Sequence, residues 1–348
     1  MRRRTFLNFA AVAAVIAALS LIVIKNAPAD TSNQLVNISY DPTRELYQAI
    51  NPLFSAAYEK ETGRHLTIVQ SHGGSSRQAR KVISGEQPAD VVTLGLFSDI
   101  EALQKRGLIA ADWADRLPNH SLPYTSTIVF VVRQGNPHGI ADWPDLVAPG
   151  VEIVTPDPRT SGNGKLAVLA AWAAVTARGG TDPDARAFLK SLFQHAPVLD
   201  EGARGSATRF AIQEAGDVHL TWENEALREV AESHGKLQIV YPPISILAEP
   251  YVAWIDKPGT GGPKLDAAKA YLTFLFSDAA QETIARLGYR PFKADIAAKT
   301  GVSFPNITLV PVTGVARNWG DANEKFFAEN GIIDTILGAR QDKGTVQE

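Results

Sequence analysis

Three short segments combine residue types that could hold an anion. Ser39-Tyr40-Asp41-Pro42-Thr43 places an N-cap aspartate and an N1 proline directly after a β-branched strand. Ser71-His72-Gly73-Gly74-Ser75-Ser76 places a glycine turn and a serine N-cap after a second strand. Arg159-Thr160-Ser161-Gly162-Asn163-Gly164 repeats the device in the other half of the chain. The first turn of a helix leaves N–H groups unpaired and carries the positive end of the helix dipole. Glycine beside serine lets a ligand approach the backbone. Ligands of open α/β sheets sit outside the carboxyl ends of the strands. Three such termini aimed at one cleft would make an anion site with no lysine or arginine in contact. Taken singly, each segment reads better as an ordinary cap in a strand-to-helix loop, and only together do the two readings balance.

Other chemistries fit less well. Gly162-Asn163-Gly164-Lys165 has Arg159 and Leu166 where a P-loop needs Gly and Ser or Thr. Gly73-Gly74-Ser75-Ser76-Arg77 lacks the final glycine of a nucleophile elbow. The seven histidines show no i, i+4 pairing for zinc, and the chain has no cysteine for a thiolate site, a disulfide or a Cys nucleophile. Glu223 and Glu225 read as a solvated helix face. No catalytic set emerges, and neither metal nor cofactor is expected. A secreted hydrolase using Ser75 or Ser161 with a histidine stays open as the alternative from another class. Trp222 ends a strand, where its indole could reach a cleft.

The elements that would position these residues alternate between strand and helix. Strands are predicted at 34–40, 66–70, 90–94, 125–132, 151–155, 218–222, 237–241 and 251–255. Helices are predicted from Asp41-Pro42 onward and at 75–83, 162–176, 264–276 and 279–287, with others after the strands ending at 94 and 222. Strands separated by helices imply parallel sheet. Residues 122–133 and 246–256 are extended runs between α/β blocks, each after a proline turn. A chain that leaves one such lobe and returns encloses a cleft, the plan of a ligand-binding clamp. The expected division is 1–29 signal, 30–121 first lobe, 122–248 second lobe and 249–348 first lobe again, with the place of the C-terminal segment open.

Arg2-Arg3-Arg4, an apolar run over 9–24 and Ala27-Pro28-Ala29 read as a cleaved export signal. A run of sixteen residues, broken only by Ser20, is short for a membrane span of about 20. Formal net charge is −3 over 348 residues, and beyond residue 29 acidic side chains outnumber basic ones by seven. Such a body is a poor partner for nucleic acid or an anionic membrane.

From about Val36 to Arg290 the chain resembles the periplasmic sulfate-binding proteins of bacterial ABC importers. The resemblance rests on Ser39–Leu46, Gln70–Ser75, Thr160–Gly162, Gly202–Gly205 and Gly216-Asp217 running into Trp222–Leu227. It implies a two-lobed type II binding-protein fold closing over a dehydrated sulfate dianion. Backbone donors would be Asp41, Ser75, Gly162, Asn163 and Ala203, and side-chain donors Ser161 and Trp222. It also implies a periplasmic monomer that delivers sulfate to an inner-membrane ABC permease. Asn163 and Ser76 stand where the pattern usually has glycine. A donor-only pocket suits sulfate, whereas hydrogen phosphate brings an O–H whose burial without an acceptor costs about 1–3 kcal/mol. Asp41 could supply that acceptor if it faced the ligand, and it is expected to cap its own helix instead. Thiosulfate, molybdate or tungstate, and phosphate are the alternatives within this class.

Overall fold

Nine of thirteen strands build two main sheets, and the other four pair as two small ones, in the computed structural model, which describes residues 33–256 and 261–344. The export-signal reading of residues 1–29 lies outside the described residues. The strands are β1 (Gln34–Tyr40), β2 (Thr67–Gly73), β3 (Val91–Leu94), β4 (Tyr124–Thr125), β5 (Ile128–Arg133), β6 (Ile153–Pro156), β7 (Leu199–Asp200), β8 (Val218–Trp222), β9 (Leu237–Val240), β10 (Ile244–Ile246), β11 (Tyr251–Trp254), β12 (Arg290–Pro291) and β13 (Thr308–Val310). The main helices are α1 (Arg44–Thr62), α2 (Ser75–Ser84), α3 (Phe97–Lys105), α4 (Gly162–Thr176), α5 (Asp182–Gln194), α6 (Ala203–Ala207), α7 (Glu223–Glu232), α8 (Pro263–Phe274), α9 (Asp278–Arg286) and α10 (Ile332–Gly344).

The first sheet has the order β11-β3-β1-β2 and the second β7-β6-β8-β5-β9. Strand β3 runs parallel to β1, and β6 parallel to both β7 and β8. Strands β11 and β5 join antiparallel, and each lies in one of the two extended crossings. The crossings touch at Ser126 and Ala248, whose N–H groups donate to each other's carbonyls at 2.9 Å. That bridge interrupts the apolar run predicted as one strand at 125–132, which divides into β4 and β5. Strand β4 leaves the second sheet and pairs with β12.

Both faces of the central strands β3 and β5 are covered, which is why these read as near-continuous apolar runs. In β5, Val129 and Val131 point to one core while Ile128, Phe130 and Val132 point to another. In β11 and the residue after it, Val252 and Trp254 part from Ala253 and Ile255 in the same way. Helix α4 is buried around nearly its whole circumference, so its alanines need no polar face. It is enclosed because the C-terminal segment packs over it. Val312, Trp319, Phe326, Ile333 and Leu337 share a core with Trp172, Leu189 and Phe193, and β13 pairs with β10. We propose each sheet with its helices as a lobe, divided after residues 121 and 248. On this reading the chain from Thr308 onward joins the second lobe.

Candidate functional site

Four helix starts meet between the two sheets. Each follows a strand, and at none does a side chain cap the helix: the short 3₁₀ turn Asp41–Thr43 after β1, α2 after β2, α4 after β6 and α6 after β7. The approach is close enough to read from the glycines. A Cβ on Gly74 would lie 2.5 Å from the Thr160 carbonyl oxygen and 3.4 Å from that of Glu201. A Cβ on Gly162 would lie 3.2 Å from the Ser75 Cβ. One on Gly95 would touch Tyr40, the Ser75 hydroxyl and the Trp222 ring, at 3.3 to 3.5 Å. Asp41, Ser75, Ser161, Gly162, Asn163, Ala203 and Trp222 are thereby brought to one place from both sides of the cleft.

The side chains show which donors are spoken for. The Ser75 hydroxyl donates to Asp99 at 2.5 Å and accepts from the Gly95 N–H at 2.9 Å, so Ser75 can offer only its backbone. Ser76 donates to the other Asp99 oxygen at 2.8 Å, which explains a serine beside the turn. Asn163 uses its side-chain amide to donate to the Leu220 carbonyl at 2.9 Å, tying α4 to β8. It sits inside the helix, away from the left-handed region where a Cβ is strained. Ser161 is the N-cap of α4, with extended backbone angles, yet its hydroxyl does not cap. Serine is among the best capping residues, and here the group is left for another acceptor. The indole N–H of Trp222 is fully buried and has no partner among the described residues. A buried donor left unpaired costs about 1–3 kcal/mol, so a site for an acceptor is implied in front of it.

Asp41 departs from expectation. The N-cap of its turn is Tyr40, and Asp41 itself is the first residue inside. Its carboxylate reaches across the cleft, where an added Cβ on Gly202 would meet it at 2.5 Å, and its ion-pair partner Arg44 is 3.9 Å away. Proline at position 42 sets the start of a 3₁₀ turn, which removes the geometry a capping aspartate needs. Burial raises the Asp41 pKa, against the lowering pull of Arg44 and Arg204. Glu223 and Glu225 also depart from a solvated face. Both are buried, Glu223 against Arg290 and Glu225 between Arg228 and Arg204.

Sequence reasoning missed the second layer. Asp99 holds the start of α2, and Lys165 in the first turn of α4 is buried, with its pKa lowered by that burial. Arg204 forks onto Glu45 at 2.9 and 3.0 Å, and Arg77 pairs with Glu201, so ion pairs bridge the two sides. Opposite charges beside the cap segments were the available signal.

One consequence is measurable at Trp222. If its N–H donates to a bound anion, ligand should change tryptophan fluorescence. Trp222→Phe should then lose about 1.5–3 kcal/mol of affinity, the usual worth of a hydrogen bond to a charged group. Titration of both proteins checks this, and unchanged affinity would return Trp222 to the core.

Comparison with known proteins identifies the family. A family model described as bacterial extracellular solute-binding protein matches residues 12–290. A sulfate-binding protein of Salmonella typhimurium is 47% identical over 305 residues, covering 87% of this chain and 92% of that one. A thiosulfate-binding protein of Pseudomonas aeruginosa is 43% identical, covering 88% and 93%. The solved sulfate-binding protein SubI from Mycobacterium tuberculosis superposes with a TM-score of 0.77 at 31% identity, covering 85% of this chain and all of that one. The chain belongs to the family of bacterial extracellular solute-binding proteins, among relatives that include sulfate- and thiosulfate-binding proteins.

Proposed function

We propose that this protein captures sulfate in the cleft and delivers it to an inner-membrane ABC permease, after export to the periplasm with removal of the signal at 1–29. The observation that carries the reading is the buried Trp222 N–H, without a partner among the described residues, beside uncapped helix starts. The backbone amides of Asp41, Ser75, Gly162, Asn163 and Ala203, with the Ser161 hydroxyl and the Trp222 indole, would donate to the dianion. Donors alone satisfy sulfate, which has acceptors and no proton near neutrality. Thiosulfate is the second reading, favoured by the thiosulfate-binding relative. Calorimetric titration of the mature protein with sulfate, thiosulfate, molybdate and phosphate tests both. Sulfate or thiosulfate binding at least a thousandfold tighter than phosphate supports the reading, and phosphate preference overturns it.

The pH behaviour follows from the same donors. Burial lowers the His72 pKa to about 4 from 6.5, so this histidine beside β1 is neutral from pH 5 to 8. Sulfate affinity should be flat over that window. A tenfold rise toward acid would point to a titrating carboxylate, Asp41 first, and sink the fixed-donor picture. Stability behaves differently. Between about pH 6.5 and 4 the unfolded chain takes up a proton at His72 that the folded protein refuses. Its contribution is therefore lost as pH falls through that range. Thermal melts should show the decline, and His72→Asn should flatten it.

A further inference from the structure

Behind α6 lies a buried chain of polar groups with no part in the site just described. Glu229 on α7 reaches Nδ1 of His219 on β8 at 3.0 Å, and Nε2 of His219 meets the Ser206 hydroxyl at 3.0 Å. Ser206 in turn lies 2.9 Å from the carbonyl of Ala203, and its N–H bonds the carbonyl of Gly202. His219 and Ser206 are fully buried and Glu229 nearly so. Order and spacing match a serine–histidine–acid relay, but a hydroxyl with no exposure meets no substrate.

Counting protons gives a different role. Three hydrogen bonds need three protons. The carbonyl of Ala203 has none to give, so the Ser206 proton points there. Nε2 must then donate to Ser206. The last proton lies between Nδ1 and Glu229, on either the ring or the carboxyl. The His219–Glu229 pair thus holds one proton more than a neutral imidazole beside a carboxylate, and is neutral overall. The surroundings fit a neutral pair. Phe210 stacks on the His219 ring at 5.6 Å with Arg133 above it, while Val131 and Val154 flank it in the sheet. Glu225 lies one turn from Glu229 on α7, held by Arg228 and by Arg204 of α6.

We propose that His219 and Glu229, through this retained proton, are positioning residues for anion binding: they clamp Ser206 and so aim the amide of Ala203. The role rests on the anion reading above. Ser206→Ala and His219→Leu should each weaken sulfate binding about tenfold and shrink the rise in melting temperature that saturating sulfate produces. A purely structural role would lower the melting temperature and leave Kd unchanged. Glu229→Gln is the sharper variant. Its amide can donate to Nδ1 and leave Nε2–H on Ser206, so all three bonds survive and Kd should stay within threefold of wild type. His219→Gln keeps a donor toward Ser206 and should recover most of the loss seen in His219→Leu. In ¹⁵N spectra of the wild-type ring, Nε2 should carry a proton. Unchanged Kd in both Ser206→Ala and His219→Leu, a Glu229→Gln loss equal to that of His219→Leu, or an unprotonated Nε2 each overturns the proposal while wild-type sulfate binding stands. Absence of sulfate binding by the wild-type protein removes the anion reading and the positioning role with it.

Discussion

Gly74→Ala is expected to bind sulfate at least a hundredfold more weakly than wild type, while melting without ligand at the same temperature or slightly higher. The two effects separate because the glycine is needed for closure and not for its own conformation. Gly74 has φ −57° and ψ 130°, angles that alanine adopts freely. Alanine at a compatible position gains about 0.4–1 kcal/mol by restricting the unfolded chain. In the closed arrangement, however, its Cβ would stand 2.5 Å from the Thr160 carbonyl oxygen. That oxygen is backbone on the opposing side, fixed by the turn in which the Thr160 and Ser161 N–H groups bond the Asp157 carbonyl. It cannot turn aside, so the start of α2 and the start of α4 must separate. Donors on only one side would then reach the anion. A hundredfold loss corresponds to about 2.7 kcal/mol, the worth of one or two hydrogen bonds to a charged group. Gly202→Ala makes the control. Its Cβ would meet a carboxylate oxygen of Asp41 at the same distance, but a side chain can rotate away, so the loss should be smaller. Titration and melts with and without sulfate decide it. Wild-type affinity in Gly74→Ala would show that the two sides do not close on the ligand.

The ion pairs across the cleft contribute less. Arg77 with Glu201 is about half exposed, and exposed pairs are worth about 0–1 kcal/mol. Their place is at the rim, where they bias which two surfaces meet. The Arg204–Glu45 fork lies deeper and has the buried Glu225 at 3.6 Å behind it.

Local signals made much of this legible. Helix α4 and strand β8 run over the residues their pattern predicts, 162–176 and 218–222, because glycine punctuates the start of one and the other is a short, fully buried run. The starts of α2 and α4 were readable because serine and glycine after a strand have few other uses. Helix α5 was overlooked, although Thr181-Asp182-Pro183-Asp184 carries a capping box that the structure forms in full. Helix α6 could not be read by periodicity, since five residues hold barely one turn. The seating of the C-terminal segment was also out of reach. Val312, Trp319 and Phe326 are apolar and need burial, but nothing local says that the face awaiting them is α4. Asp41 misled because aspartate before proline is a cap signature, and here the chain forms a 3₁₀ turn with Tyr40 at the N-cap and Asp41 already inside. The convergence of the helix starts is likewise a property of the topology. It requires β2 and β6, from different sheets, to end facing each other across the cleft, which no single segment encodes.

Ser161→Asp should abolish sulfate binding and leave the fold intact. Ser161 is 2% exposed at the N-cap of α4, with φ −115° and ψ 131°. Aspartate caps helices as well as serine does, and its charge suits the positive end of the dipole. Burial of the new charge at a position where serine does not cap offsets that gain, so the variant should melt within a few degrees of wild type. The same carboxylate stands where the anion is proposed to sit. At an effective dielectric constant of about 20, two unit charges 4 Å apart interact by roughly 4 kcal/mol. Against a dianion the repulsion is about twice that, beyond what the remaining donors can offset. Ser161→Ala sets the scale for losing only the donor. It removes one hydroxyl and keeps the helix end, so the loss should stay within about 1.5–3 kcal/mol. Ser161→Cys keeps a weak donor on a larger atom and should cost at least as much, through crowding against the start of α2. Sulfate titration paired with thermal melts of the three variants is decisive. Binding retained by Ser161→Asp would place the anion away from α4 and overturn the assignment of the site.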